Sequence, residues 1–310
     1  MKVFVLAPRE NWICDRLVSE WYENFPEYST KDIDKADIIW LLAGWCWQHI
    51  HPDYLMNKKV VVTEHHIVPE KFIGSKLQNF YIRDKFVNCY HTPNDKTKKL
   101  LHQLTYKDIK TIPYWLNDKF WVPLDRTETR KKLNIPNNDF CIGSFQRDTE
   151  GSDLKTPKLE KGPDLFCDYI ERIYKDNKNL HILLGGWRRQ YVMKRLDDKK
   201  IKYTFFEKAS LETLRDLYSC CDLYIVGSRH EGGPQAIIEA SAMNVPIIST
   251  DVGIANKVLS KNCIVDIKKD SYFPSKEDIK ICKSNVEKLK IKDVGQEYLK
   301  LFESVMCKKH

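Results

Sequence analysis

Residues 222–250 read DLYIVGSRHEGGPQAIIEASAMNVPIIST. Two short apolar runs, DLYIVGS and VPIIST, enclose a Gly-Gly-Pro turn and a helical pattern that begins at Pro234. Apolar runs of this length bounded by turn formers read as buried strands. Strand, loop, helix and strand in succession form the unit from which parallel sheets are wound. In such a sheet, ligands bind outside the carboxyl ends of the strands, at the switch point. Pro234 suits the first helical position. Gly232 and Gly233 allow close backbone approach, and the N–H groups of the loop and first turn form an anion site. Glu239 lies five residues past Pro234, about 7.5 Å along a helix axis. Glu231 in the loop and Glu239 on the helix can therefore grip two ends of an elongated ligand. Carboxylates accept hydrogen bonds from hydroxyls, which suits sugar rings on either side of a diphosphate held by the amides.

Outward from this stretch the second half alternates regularly. FCIGSF (140–145), LHILLGG (180–186), IKYTFF (201–206) and CIVDI (263–267) read as further strands. Helices are expected at 162–176, 188–198, 210–220 with Ser210 as N-cap, and 254–259. Two more helices close the chain from about 275 to 306. The alternation implies a doubly wound parallel sheet.

The first half is less regular. Strands are expected at KVFVLA, 36–43, 59–66, 85–92 and 109–114, and helices at 11–24 and 95–104. This gives an α/β domain over 1–115. A linker is expected at 116–138, within a stretch (112–139) that carries three prolines, and a second domain covers 139–274. Helices at 275–310 are expected to pack back toward the first domain.

Composition sets the class. The chain has 310 residues, 42% hydrophobic and 30% charged, as in an ordinary globular protein. The opening MKVFVLAPRE becomes charged too soon for a signal peptide, and no apolar run approaches a membrane span. A cytoplasmic protein is expected. Ten cysteines lack any zinc-site spacing and read as reduced core thiols. Cys46, His49 and His51 have no partner set elsewhere, so no metal site is expected. The net charge of +8 suits an anionic ligand, an acidic acceptor or peripheral contact with an anionic inner membrane face. No basic stripe with interleaved aromatics argues for nucleic acid.

Glu231 and Glu239 together match the E-x7-E signature of retaining glycosyltransferases of the GT-B fold, family 4 (glycosyl transferases group 1). The resemblance extends through SRHEGGPQAIIEASAMNVPIISTDVG to IGSFQRD, PKLEKGPDLF and LLGGWRRQYV, in the family's order. It covers about 140–260 and is weak over the first hundred residues. It implies two Rossmann-like doubly wound domains facing a cleft, the N-terminal one reduced. It also implies sugar transfer from a nucleotide-diphosphate donor to a glycan, lipid or other acceptor, with retention and without a metal cofactor. By the resemblance, Glu231 binds donor-sugar hydroxyls, Glu239 binds the ribose, and Gly232, Gly233 and Pro234 give backbone contacts. Lys161 and Arg147 neutralise the diphosphate, with Gly143 at the first strand and Lys158 and Arg188 as alternates. His65 in VVVTEHH matches a strand-end histidine on the acceptor side, and His66 is the next match. The alternative from another class is a non-catalytic sugar-nucleotide or carbohydrate-binding protein on a decayed scaffold, suggested by the short first domain. Donor turnover separates the two.

Overall fold

A computed structural model describes residues 1–307. The chain divides into two compact units, one formed by residues 1–117 and 289–307, the other by 118–288.

In the first unit the elements run β1 (Val3–Val5), α1 (Ile13–Asn24), β2 (Ile38–Leu41), α2 (Pro52–Asn57), β3 (Lys59–Thr63), α3 (Ser75–Asp84), β4 (Cys89–Thr92), α4 (Asp95–Leu101) and β5 (Asp108–Thr111). The sheet is parallel, in the order β1-β2-β3-β4-β5. A single parallel bridge between Ser29 and Val3 lies on the outer side of β1, where the Thr30 N–H donates to the Val3 carbonyl at 3.0 Å. The chain thus passes to one side of β1 before crossing to β2 on the other, which makes the β1–β2 boundary a switch point. β2 is buried along its whole length, so it reads as a continuous apolar run.

The second unit contains α5 (Arg126–Lys132), β6 (Phe140–Phe145), α6 (Pro163–Ile173), β7 (Leu180–Gly186), α7 (Gln190–Asp198), β8 (Lys202–Glu207), α8 (Leu211–Cys220), β9 (Leu223–Val226), α9 (Gln235–Ala242), β10 (Ile247–Ser249), α10 (Ala255–Val258) and α11 (Lys276–Glu287). Its parallel sheet has the order β10-β9-β6-β7-β8. β6 pairs with both β7 and β9, so the order reverses there and the switch point lies between β6 and β9. Ser210 caps α8 as expected, accepting from the Thr213 N–H at 3.2 Å.

The final helix, α12 (Ile291–Met306), belongs to the first unit. Its Tyr298 and Phe302 pack with Trp21 of α1 and Trp40 of β2, with ring centroids 5.1–6.2 Å apart. Tyr298 also meets His91 of β4 at 3.1 Å. Among the described residues no helix is long and apolar enough to cross a membrane.

Several local expectations change. CIVDI is not a strand: residues 261–263 form a 3-10 turn, and only Ile264 bridges to Ser249. The run ends because Asp266 starts a turn, its carbonyl accepting from the Lys269 and Asp270 N–H groups. The stretch expected as a linker holds α5, capped by Asp125 through the Glu128 N–H at 2.9 Å. α2 and α3 were not anticipated from the sequence either. Pro234 is the N-cap of α9 rather than its first helical residue, with ψ at 110°. Residues 308–310, the end of the expected C-terminal helical segment, lie outside the described residues.

Candidate functional site

At the switch point of the second unit the loop after β9 and the loop before α6 are pressed together. Gly162 has φ +61°, and a Cβ built there would lie 1.8 Å from the Gly227 carbonyl oxygen. Only glycine allows both that conformation and that approach. The contact is laced on both sides. The Arg229 and His230 N–H groups donate to the Glu160 carbonyl at 2.8 and 3.1 Å. The Arg229 guanidinium grips both carboxylate oxygens of Asp164, in the first turn of α6, at 2.8 and 2.6 Å.

This lacing brings together two residues 70 positions apart. The Lys161 ammonium donates to both carboxylate oxygens of Glu231, at 2.7 Å each. Ser228, fully buried, donates its hydroxyl to Glu231 Oε1 at 2.9 Å and lies 3.3 Å from the Lys161 carbonyl. Ser228-x-x-Glu231 is the spacing of a capping box, here used without a helix. That spacing is the sequence signal that could have found Ser228.

Glu239 sits on α9 and is buried, accepting from the Tyr218 hydroxyl at 2.9 Å. Burial, and next the charge of Glu239, push the Tyr218 hydroxyl well above the usual tyrosine range, so it remains a donor. The tyrosine packs in turn on Phe145 and Tyr224 at 4.9 and 5.2 Å. Gly232 is buried, its carbonyl facing Gly253 of the following turn. Gly233 and Pro234 are half-buried at the entrance to α9. The N–H groups of that first turn have no acceptor within the helix.

The cations expected beside the site are spread over the loops after β6 and β7. Arg147 donates through Nε to the Thr149 carbonyl at 2.8 Å. Lys158 lies 3.6 Å from Glu160. Burial first, and then the charge of Lys161, hold the Lys158 amine below its usual range, and Arg147 adds to the same effect. Arg188 has φ +58° and donates to the Gly151 carbonyl at 2.6 Å. Gly143 is placed otherwise than expected. It lies within β6, where an added Cβ would meet Cys221 Sγ at 2.6 Å and Tyr224 at 2.9 Å. It makes room for core side chains rather than for a ligand.

Sequence reasoning missed Arg189. It is fully buried, pairs with buried Asp148 at 2.9 Å, and donates to the Gly185 carbonyl at 2.8 Å and to the Ser144 hydroxyl at 3.0 Å. It ties the ends of β6 and β7 to the start of the 148–160 loop. Nothing in the Arg188-Arg189 pair tells which one turns inward; the left-handed backbone at Arg188 decides it.

His65 lies in the first unit, two residues past β3, and is half-buried. Its Nε2–H donates to the Leu42 carbonyl at 2.7 Å, and Nδ1 accepts from the Tyr114 hydroxyl. Both ring nitrogens are thus engaged within the fold. The Trp45 ring stands 5.6 Å away. Among the described residues no group of three or more His, Cys, Asp or Glu side chains is arranged to hold a metal ion.

Residues 153–273 match the family model described as Glycosyl transferases group 1. The O-antigen chain mannosyltransferase RfbU of Salmonella typhimurium is 24% identical over 223 residues, covering 67% of this chain and 60% of the relative. The lipopolysaccharide core biosynthesis mannosyltransferase LpsB of Rhizobium meliloti is 23% identical over 149 residues, covering 46% and 40%. The chain thus spans less than two thirds of either relative's length. Among solved structures, Anabaena HepE in complex with UDP and glucose superposes with a TM-score of 0.74 at 12% identity, over 98% of this chain and 99% of that one. Sucrose-phosphate synthase from Thermosynechococcus elongatus gives 0.67 at 18% identity, over 96% and 81%. The fold is therefore GT-B, two Rossmann-like α/β units, each with a parallel sheet.

Proposed function

We propose that the chain is a glycosyltransferase that moves a sugar from a nucleotide-diphosphate donor to a glycan, lipid or other acceptor. In this reading the configuration is retained and no metal takes part. The observation that carries it is the pairing of Lys161 with Glu231 at the carboxyl end of β9, with Glu239 on the helix that follows. All three residues fall inside the segment that matches the glycosyltransferase family model. HepE, the neighbour with UDP and glucose, supports a nucleotide-sugar donor.

Each side chain then has a task. Lys161 faces the diphosphate and stabilises the negative charge that grows there as the glycosidic bond breaks, an interaction stronger in the transition state than before it. Glu231 accepts from hydroxyls of the donor sugar, held in place by Ser228. Glu239 accepts from the ribose, oriented by Tyr218. Arg147 and Lys158 add positive charge near the same loop. The donor's own phosphate takes the acceptor proton, so the protein supplies position and charge rather than a base. His65 serves on the acceptor side as a positioning residue, since it cannot take a proton without giving up its bond from Tyr114.

The test begins with thermal shifts against GDP, UDP, ADP and their sugars, where a ligand at ~100 times its Kd adds about 2.7 kcal/mol. The stabilising donor is then supplied with a cell extract as the source of acceptor, with and without EDTA, and the product anomer is read by NMR. Transfer that survives EDTA and keeps the donor's anomeric configuration is expected. Binding without turnover would make the chain a sugar-nucleotide-binding protein, and loss of transfer with EDTA, restored by manganese, would overturn metal independence.

A further inference from the structure

Across β6 from Glu231 lies a feature that the donor reading has not used. Trp187, directly after β7, is 39% exposed and is flanked by three cations. The Arg188 guanidinium stands 4.6 Å from its ring centroid, Arg147 5.5 Å and the Lys208 ammonium 5.6 Å. Among the described residues neither Arg188 nor Lys208 has a carboxylate within ion-pair reach. Like charges gathered on one indole repel one another, and the ring's quadrupole offsets only part of that. An anionic ligand would complete the arrangement.

The platform is rigidly built. Beneath it run the buried Arg189–Asp148 pair and the Arg189 bonds to the ends of β6 and β7. Beside it, the Asp148 N–H and the Thr149 hydroxyl donate to the Arg188 carbonyl at 3.2 and 3.1 Å. Gly186, at φ +105°, passes against the Gln146 backbone. Gln146 in turn donates to the Lys161 carbonyl at 2.9 Å. The indole is therefore connected through short, buried contacts to the Lys161–Glu231 pair.

We propose that Trp187, with Arg188 and Lys208 around it, is the surface on which the nucleobase of the donor stacks. The inference rests on the donor reading above and adds the residue that receives the base. Adjacent parallel strands stand about 4.8 Å apart, so the end of β7 lies two strands, roughly 10 Å, from the end of β9. A ligand with its sugar at Glu231 and its phosphates near Lys161 has its far end on this side of β6. Flat bases stack on aromatic rings and on guanidinium planes, and the flanking cations favour a ligand that carries negative charge.

The experiment is titration of UDP, GDP, ADP and inorganic pyrophosphate into wild type, Trp187→Ala and Trp187→Phe, by calorimetry and by tryptophan fluorescence. For whichever nucleotide the wild type binds, Trp187→Ala is expected to weaken binding at least about tenfold while pyrophosphate changes less than about twofold. Trp187→Phe should keep most of the affinity but lose the fluorescence change on binding, and it controls for a folding defect in the alanine variant. Equal loss of nucleotide and pyrophosphate, or unchanged nucleotide affinity in Trp187→Ala, overturns base stacking and leaves the donor reading intact. A wild type that binds none of the nucleotides overturns the donor reading itself, and the stacking with it.

Discussion

Replacing Lys161 separates what its pair with Glu231 does for the fold from what Lys161 does for the reaction. The side chains are 22% and 10% exposed and the ammonium is 2.7 Å from the carboxylate. At an effective dielectric of about 20, two unit charges some 3 Å apart attract by roughly 5 kcal/mol. Desolvation of both groups and the lost freedom of the lysine chain offset most of this, leaving a net of about 1–2 kcal/mol. Lys161→Ala removes the cation while the Glu231 carboxylate stays largely buried, and should destabilise the second unit by at least that amount. Its melting temperature should fall by roughly 2–4 °C per kcal/mol. Adding Glu231→Gln removes the carboxylate that has lost its cation, so the double variant should be less destabilised than the two single changes summed, the sign of direct coupling. Turnover should behave differently. Loss of a donor to the growing phosphate charge is expected to lower kcat at least about a hundredfold, roughly 2.7 kcal/mol, and the double variant should not regain it. The assays are thermal melts without ligand and steady-state kinetics on all three variants. A Lys161→Ala protein with kcat within about threefold of wild type, or a double variant that turns over normally, would refute the phosphate role.

Three further outcomes follow from particular contacts. Gly162→Ala places a Cβ 1.8 Å from the Gly227 oxygen at φ +61°, and should cost at least about 2–3 kcal/mol. A denaturation midpoint showing less than about 1 kcal/mol would mean that the loops separate easily. Glu239→Gln retains an oxygen for Tyr218, so the melting temperature should hold, while nucleotide affinity falls by roughly 1.5–3 kcal/mol as the charged acceptor is lost; unchanged affinity by titration calorimetry would remove Glu239 from the site. His91 is fully buried, and burial first, with a small push from His65, lowers its pKa to about 3 against the raising effect of its bond to the Ile112 carbonyl. The unfolded chain takes up this proton below about pH 6.5 while the native state does not until about 3. Its stabilising contribution is therefore complete above 6.5 and drains as pH falls toward 3, by at most ~1.4 kcal/mol per pH unit. His91→Gln should flatten that part of the acid limb in urea titrations at pH 7, 6 and 5; an unchanged slope would show that His91 does not titrate this way.

What the sequence revealed depended on whether local pattern or distant contact decided the outcome. β7 is buried at every residue, and a strand covered on both faces has to be an unbroken apolar run, so its limits were legible. Glu231 and Glu239 were legible because a loop and the helix it enters fix their separation without help from the rest of the chain. CIVDI failed because its composition favours a strand while Asp266 commits the backbone to a turn, and turn chemistry prevailed over propensity. α2 and α3 escaped notice because six- and ten-residue helices carry too few turns to show a period. Gly143 had the right neighbours for a ligand contact, but the space above it belongs to Cys221 and Tyr224, which arrive some 80 residues later. His65 kept its place beside a strand end, yet the hydroxyl that occupies its Nδ1 comes from Tyr114, 49 residues on.

The arrangement of charge explains how two carboxylates can stand where phosphates are proposed to bind. An uncompensated carboxylate next to a diphosphate would oppose it. Glu231 avoids this through Lys161, which neutralises it in the ligand-free protein and lies within reach of whatever the loop receives. Glu239 is buried and accepts from the Tyr218 hydroxyl of α8. Arg147, Arg188 and Lys208 gather on Trp187 at the ends of β6, β7 and β8, with Glu207 next to Lys208 and Asp148, Glu150, Asp153 and Glu160 in the loop after β6. The cations are therefore focused on the indole rather than graded along the strand ends. A nucleotide lying across the strand ends would meet one neutralised carboxylate at its sugar and the cations around Trp187 toward its base. On this account, reversing a charge at Lys208 should weaken nucleotide binding, whereas reversing one equally exposed but distant, such as Lys194, which is already paired with Asp198, should not. Equal effects at the two positions, measured at the same ionic strength, would mean that only the overall charge matters and that the cluster at Trp187 directs nothing.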